Sequence, residues 1–178
     1  MSTSNLLLHY DGICVYAISK IKPNLVAIMI LTFVNIVLLI VITLFSIEGL
    51  PIPAIVFGLA ELFIIKYTLW NFFGEERLII NDKTLSYQQH YGFFTTALHT
   101  IAFNKKIWII DYDKVSLGNT SYVKFLFESY DKNSLPEVIY HSVLNITEAD
   151  FKKFLQYIER LFIDDLVREL AIPEIHLN

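Results

Sequence analysis

Residues 25–47 read LVAIMILTFVNIVLLIVITLFSI, 23 positions from Leu25 to Ile47 without one charged side chain. At 1.5 Å of rise per residue such a helix is roughly 34 Å long, enough to cross a hydrocarbon core of about 30 Å. A cleaved secretory signal would have a shorter apolar region ending in small residues. Thr43, Leu44, Phe45, Ser46 and Ile47 offer no such site, so an uncleaved transmembrane helix is expected. Residues 51–73, PIPAIVFGLAELFIIKYTLWNFF, form a second apolar stretch, broken only by Glu61 and Lys66. Pro51 and Pro53 suit its first turn, where N–H groups have no intrahelical partner. Only Glu48, Gly49 and Leu50 separate the two stretches, which makes them antiparallel neighbours in a transmembrane hairpin.

Charge around the hairpin sets an expected orientation. Lys20 and Lys22 precede the first helix, Lys66 and Arg77 lie at or beyond the end of the second, and the connecting turn has no Lys or Arg. Positive-inside counting puts both termini on the cytoplasmic side of the membrane, with Trp70, Phe72 and Phe73 as an interfacial aromatic belt and Lys66 snorkelling toward it. Within the span, Asn35 lies 12 residues before Ile47 and Glu61 lies 10 after Pro51. Counted symmetrically from the turn, their depths agree within two residues, or roughly 3 Å. The pair therefore reads as a hydrogen bond gluing the hairpin, with a proton or ion relay, or a docking point for another membrane helix, as the functional alternative.

The rest of the chain has a different composition. Overall, 54% of the 178 residues are hydrophobic and only 18% charged, against about 25% in an ordinary soluble domain. The apolar excess lies before position 74. Three of the 18 acidic residues (Asp11, Glu48, Glu61) and three of the 14 basic ones (Lys20, Lys22, Lys66) also lie there. That leaves 15 acidic against 11 basic residues in 74–178, a balance of −4 with no basic stripe, which argues against nucleic acid as a partner. The single Cys14 excludes a disulfide framework. The division expected is a segment 1–24, a transmembrane hairpin 25–73, and a cytoplasmic domain 74–178. In the first segment, Asp11-Gly12 between two apolar runs fits a β-hairpin with a type I′ turn, while the spacing of Leu6, Tyr10, Ile13, Cys14, Ala17 and Ile21 also fits an interfacial amphipathic helix that Gly12 would weaken.

After Gly74 the hydrophobic period becomes two. Runs at 77–81, 84–91, 95–103, 107–112, 122–130 and 135–143 are separated by turn residues, giving six or seven antiparallel strands. One amphipathic helix follows: Thr147 caps it with Asp150 three residues on, Phe151, Leu155, Ile158, Phe162, Leu166 and Leu170 form its buried stripe, and Pro173 stops it. Strands followed by a single helix suggest a small curled sheet or barrel with the helix over one opening.

The hairpin, the entry Gly74-Glu75-Glu76-Arg77-Leu78-Ile79-Ile80 with Lys83-Thr84-Leu85-Ser86-Tyr87 after the turn, Ile107-Trp108-Ile109-Ile110, and residues 151–162 as a terminal helix together resemble bacterial pleckstrin-homology-like (PH-like) domains that follow a transmembrane hairpin. The resemblance covers about residues 25–162 and leaves the first 24 outside. It implies a membrane α-hairpin joined to a PH-like barrel of about seven antiparallel strands capped by the C-terminal helix, serving as a non-enzymatic binding or assembly module beside the membrane.

Little in the chain carries chemistry. A phosphoinositide site needs several basic residues around the first strand pair, and that turn offers Lys83 beside Asp82, so headgroup recognition of that kind is not expected. Lys105 and Lys106 form a small basic pair facing either solvent or an anionic headgroup. Tyr91, Phe93 and Phe94 flank Gly92 at a hairpin tip and must fold inward, meet the bilayer or meet a partner. The five histidines lack ligand spacing, and no nucleophile elbow, phosphate loop or Cys–His pair is present, so no metal, cofactor or enzymatic activity is expected. The functional expectation is an integral membrane protein presenting a protein-binding module, with a protein partner or a second copy of itself. The alternatives are an immunity protein against a membrane-acting toxin, or a transport or channel accessory that uses Glu61.

Overall fold

A computed structural model describes residues 5–103, 107–118, 120–130 and 135–170, without the side chains of Leu117 and of 164–170. The order is β1 (Leu6–Tyr10), β2 (Val15–Lys20), α1 (Leu25–Ile47), α2 (Pro51–Phe73), β3 (Gly74–Ile80), β4 (Thr84–Tyr91), β5 (His99–Ala102), β6 (Trp108–Leu117), β7 (Thr120–Tyr130), β8 (Pro136–His141), β9 (Ile146–Thr147) and α3 (Glu148–Leu170). The chain falls into two compact units. One comprises Met1–Ser19, Glu76–Gln88 and Ala97–Asn178, and the other Lys20–Glu75 with Gln89–Thr96.

The first unit is built from two antiparallel sheets and a helix. Strands β1-β2-β3-β4-β5 form one sheet in that order; β6-β7-β8 form the other, with β9 also paired to β7. The sheets are open, which corrects the expected closed barrel of about seven strands. The physical reason is where strand pairing goes. The N-terminal strands extend the first sheet beyond β3, while β5 gives four residues to β4 and belongs to a different sheet from β6. Closure is replaced by a shared core. Val15, Ile80 and Leu85 from the first sheet, Val123, Phe127 and Ile146 from the second, and Phe154 from α3 are fully buried in one cluster.

The described part of the first segment, residues 5–24, therefore contributes strands, not an interfacial helix. Their turn is a four-residue loop rather than a type I′ dipeptide. Tyr10 pairs with Val15, Gly12 has φ +89°, and the Asp11 carboxylate accepts from the amides of Ile13 (2.9 Å) and Cys14 (2.7 Å). In α3, Thr147 Oγ1 accepts from the Asp150 amide at 3.1 Å, as an N-cap should. The buried seam runs Phe151, Phe154, Ile158 and Leu161, with Leu155 and Phe162 at its margin, against β1, β7 and β9. Leu166 and Leu170 have undescribed side chains, and Pro173 lies outside the described residues.

One buried carboxylate ties the two sheets. Burial alternates along β3, so Glu76 shares the inner face with Leu78 and Ile80 and is only 3% exposed. Its carboxylate accepts from the Tyr140 hydroxyl, from the Val143 amide at 2.9 Å and from the Leu144 amide at 3.1 Å. Burial holds its carboxyl above the usual carboxylate range, against the downward pull of those three donors, and burial with the adjacent carboxylate pushes the Tyr140 phenol up.

Glu76→Gln should lower stability by about 1–3 kcal/mol, because an amide cannot accept with both ends and leaves a buried N–H unpaired. The pH dependence has a definite sign. With the folded value raised above 4.5, the unfolded chain ionises first as pH rises, so this group's contribution is full below pH 4.5 and is lost as pH climbs through the folded value. Thermal unfolding in mild detergent across this range should show that decline in the native chain, and Glu76→Gln should flatten it.

Candidate functional site

The helical hairpin begins with Asn24, whose side chain caps α1 by accepting from the Val26 amide. It turns at Gly49 (φ +70°) and re-enters helix at Pro51. Both helices are long and apolar enough to cross a membrane. No residue of α1 is buried, and Glu61 alone is buried in α2. Asn35, Thr43 and Ser46 in α1, and Asn71 in α2, each donate to the carbonyl four residues earlier.

Asn35 and Glu61 do not meet. Asn35 Nδ2 donates instead to Thr68 Oγ1 at 2.9 Å, and Phe45 stacks on Phe57 with centroids 5.6 Å apart. Symmetric counting from the turn would set Asn35 opposite residue 63 and Phe45 opposite Pro53, so α2 is shifted by four to five residues. The same shift sets Glu61 level with Val41 and Ile42, roughly 10 Å along the axis from Asn35. The symmetric count fails because matching helix faces recur only every three or four residues, and the faces that interlock decide the register. Both Glu61 carboxyl oxygens are buried with no hydrogen-bond partner among the described residues.

At the other end of α2 is an aromatic cluster shared with the loop between β4 and β5. Tyr91 stacks on Phe94 (4.7 Å, 8°) and leans on Trp70 (4.9 Å, 47°); Phe93 meets Phe73 edge-on at 6.0 Å, and Phe73 meets Phe72 at 6.1 Å. Lys66 Nζ sits 5.7 Å from the centre of the Tyr91 ring, within cation–π range. Tyr91 is buried, whereas Phe93 is 83% exposed. Gly92 makes the approach possible: it has φ +83°, and a Cβ there would lie 2.9 Å from Phe73 Cβ. Of the three tip aromatics, Tyr91 folds inward and Phe93 faces out.

A second surface belongs to the β6-β7-β8 sheet and was not singled out from the sequence. Ile109 pairs with Phe127 on the core side, which turns Trp108 and Ile110 outward. Tyr112 is the extra residue at a bulge between Asp111 and Asp113. Trp108 meets Tyr130 edge-on at 5.0 Å, and Tyr112 meets His141 at 5.5 Å. Trp108, Ile110, Tyr112 and Val138 are all exposed, an aromatic and apolar patch on an otherwise acidic domain. The alternation of 107–112 marked the outward positions, but the bulge hid that the strand continues.

Lys105 and Lys106 lie outside the described residues. His90 Nδ1 accepts from the Gly92 amide, and His99 stacks on Tyr87. Among the described residues no group of His, Cys, Asp and Glu is placed to hold a metal ion. No protein-family model, curated protein or solved structure matches the chain.

The shifted register carries a prediction. In a double-mutant cycle, Asn35→Leu and Thr68→Val should couple by about 0.6 kcal/mol and by no more than about 1.7 kcal/mol. Asn35→Leu and Glu61→Gln should be additive. Unfolding of the full chain in detergent is the measurement, and coupling to Glu61 but not to Thr68 would restore the symmetric register.

Proposed function

We propose that the chain is a multi-pass integral membrane protein of a bacterial inner membrane, with α1 and α2 spanning the bilayer, both termini cytoplasmic, and its two-sheet domain acting as a non-enzymatic protein-binding module. The observation that carries the membrane reading is the exposure of the hairpin. Helices this apolar are buried when they form a soluble core, and these present their apolar side chains outward along their whole length. Trp70, Phe72, Phe73 and Lys66 gather at one end of α2, as an interfacial belt requires, and the cations flank the open end of the hairpin while the turn carries Glu48. The PH-like part of this reading rests on the sequence resemblance; the two sheets before the C-terminal helix are open and not a closed barrel.

The protein-binding reading is favoured by the outer face of the second sheet. Its Trp108, Ile110, Tyr112 and Tyr130 have the composition of a buried interface centre, and aromatic side chains supply large contact area at low entropic cost.

In a Cys14→Ser background, Glu48→Cys should react with a membrane-impermeant maleimide added to intact cells, and Lys152→Cys only after permeabilisation. The opposite pattern would invert the topology, and equal labelling without permeabilisation would remove the hairpin from the bilayer. A photo-crosslinking residue in place of Ile110 should give one discrete adduct in mild detergent, whereas one in place of Lys152 on α3 should give none; the absence of an Ile110 adduct would count against this face.

A further inference from the structure

The loop between β4 and β5 has properties that a protein-binding module does not need. It belongs to the same compact unit as the helical hairpin, and residues 89–96 pack with the end of α2. It is uncharged: from residue 84 to residue 104, 21 positions, there is no Asp, Glu, Lys or Arg, although the domain as a whole carries an acidic excess. Its backbone is internally bonded. The Tyr91 amide donates to the Phe94 carbonyl (2.8 Å), the Thr96 amide to the Gln89 carbonyl (2.8 Å), the Gln89 amide to Thr96 Oγ1 (2.9 Å) and the Gly92 amide to His90 Nδ1 (3.1 Å). A loop entering a low-dielectric layer must satisfy its peptide groups in this way, while a loop in water need not.

We propose that the tip of this loop, residues 91–94, is embedded in the headgroup layer of the bilayer as a third membrane contact beside α1 and α2. The occupant is lipid and not a protein because the exposed tip continues the surface of the hairpin. Phe93 extends from Phe73, Phe94 stacks on Tyr91, and Tyr91 joins Trp70 and Lys66, the residue types that settle at a membrane interface. Electrostatics agrees. An acidic surface is repelled by anionic lipid, and residues 89–96, which contain no Asp, Glu, Lys or Arg, present the bilayer with nothing to repel. Gly92 lets the tip approach Phe73 closely, so the anchor is preformed.

This inference rests on the membrane reading, and the test separates the two. A nitroxide is placed at Phe93→Cys, or at Thr95→Cys as a second site on the same loop, in the full-length Cys14→Ser chain reconstituted in phosphatidylcholine vesicles. Phe33→Cys on the exposed face of α1 and Lys152→Cys on α3 are the references. The tip label should be several-fold more accessible to oxygen, relative to a water-soluble nickel chelate, than the Lys152 label, and shallower than the Phe33 label. Aqueous accessibility at both tip sites with Phe33 still in lipid would overturn the tip proposal alone. Aqueous accessibility at Phe33 would overturn the membrane reading and the tip with it. Protection of the tip from both relaxers would also overturn it and would make residues 91–94 a protein contact, as between two copies of the chain.

Discussion

Everything in this chain depends on how the base of the helical hairpin is held. The hairpin is inserted between β2 and β3, which are neighbours in the first sheet, so the strand that leads into α1 and the strand that leaves α2 are side by side. The Ile21 amide donates to the Gly74 carbonyl at 2.9 Å, and Lys20 Nζ lies 2.7 Å from the Glu75 carboxylate. Gly74 is closely fitted: a Cβ there would run into the Trp70 carbonyl and come within 2.8 Å of Ile21 Cδ1. The ion pair is partly exposed and contributes little by itself. The backbone bond and the glycine fix the geometry, and an added methyl group would push apart the two helix ends that meet there.

Much of this arrangement was legible in the sequence because it rests on period and punctuation. The two helices follow from long apolar runs, the second broken only by Glu61 and Lys66, and β4 and α3 from clear alternation and a Thr147 cap. What escaped was whatever depends on partners far along the chain. Closure of the sheet could not be read from strand counts, since β1 and β2 use up pairing capacity beside β3 that a barrel would need elsewhere. The bulge at Tyr112 shifts the period, so β6 looked finished where it continues to Leu117. The two-residue β9 was hidden inside the helix cap.

The candidate sites follow the same rule. Depth in a hairpin is a length argument, and length gave the wrong partner for Asn35 because interlocking faces, not residue counts, set helix register. Glu76 was visible as an acidic residue in phase with Leu78 and Ile80, but its three donors lie more than 60 residues away and nothing local announces them. The tip aromatics were legible as a tension, since three large rings at a turn must go somewhere. Their division into an inward Tyr91 and an outward Phe93 required the structure.

Inserting the hairpin between two adjacent strands also orders events during synthesis. β2 ends at Lys20 and its sheet partner β3 begins at Gly74, so the 53 residues between them must be made first. At about 5 to 20 residues per second that is a wait of roughly 3 to 10 s. Through that interval β1 and β2 are a lone two-stranded ribbon, which is marginal in water. On the membrane placement proposed above, the ribbon waits at the bilayer while α1 and α2 enter, and β3 can join only after α2 has returned to the same side. A chain whose hairpin fails to insert would bring β3 back late or misplaced and leave an open strand edge exposed. Completion of the first sheet would then act as a checkpoint on insertion, and failed chains would be marked by the edge that cellular proteases and chaperones recognise.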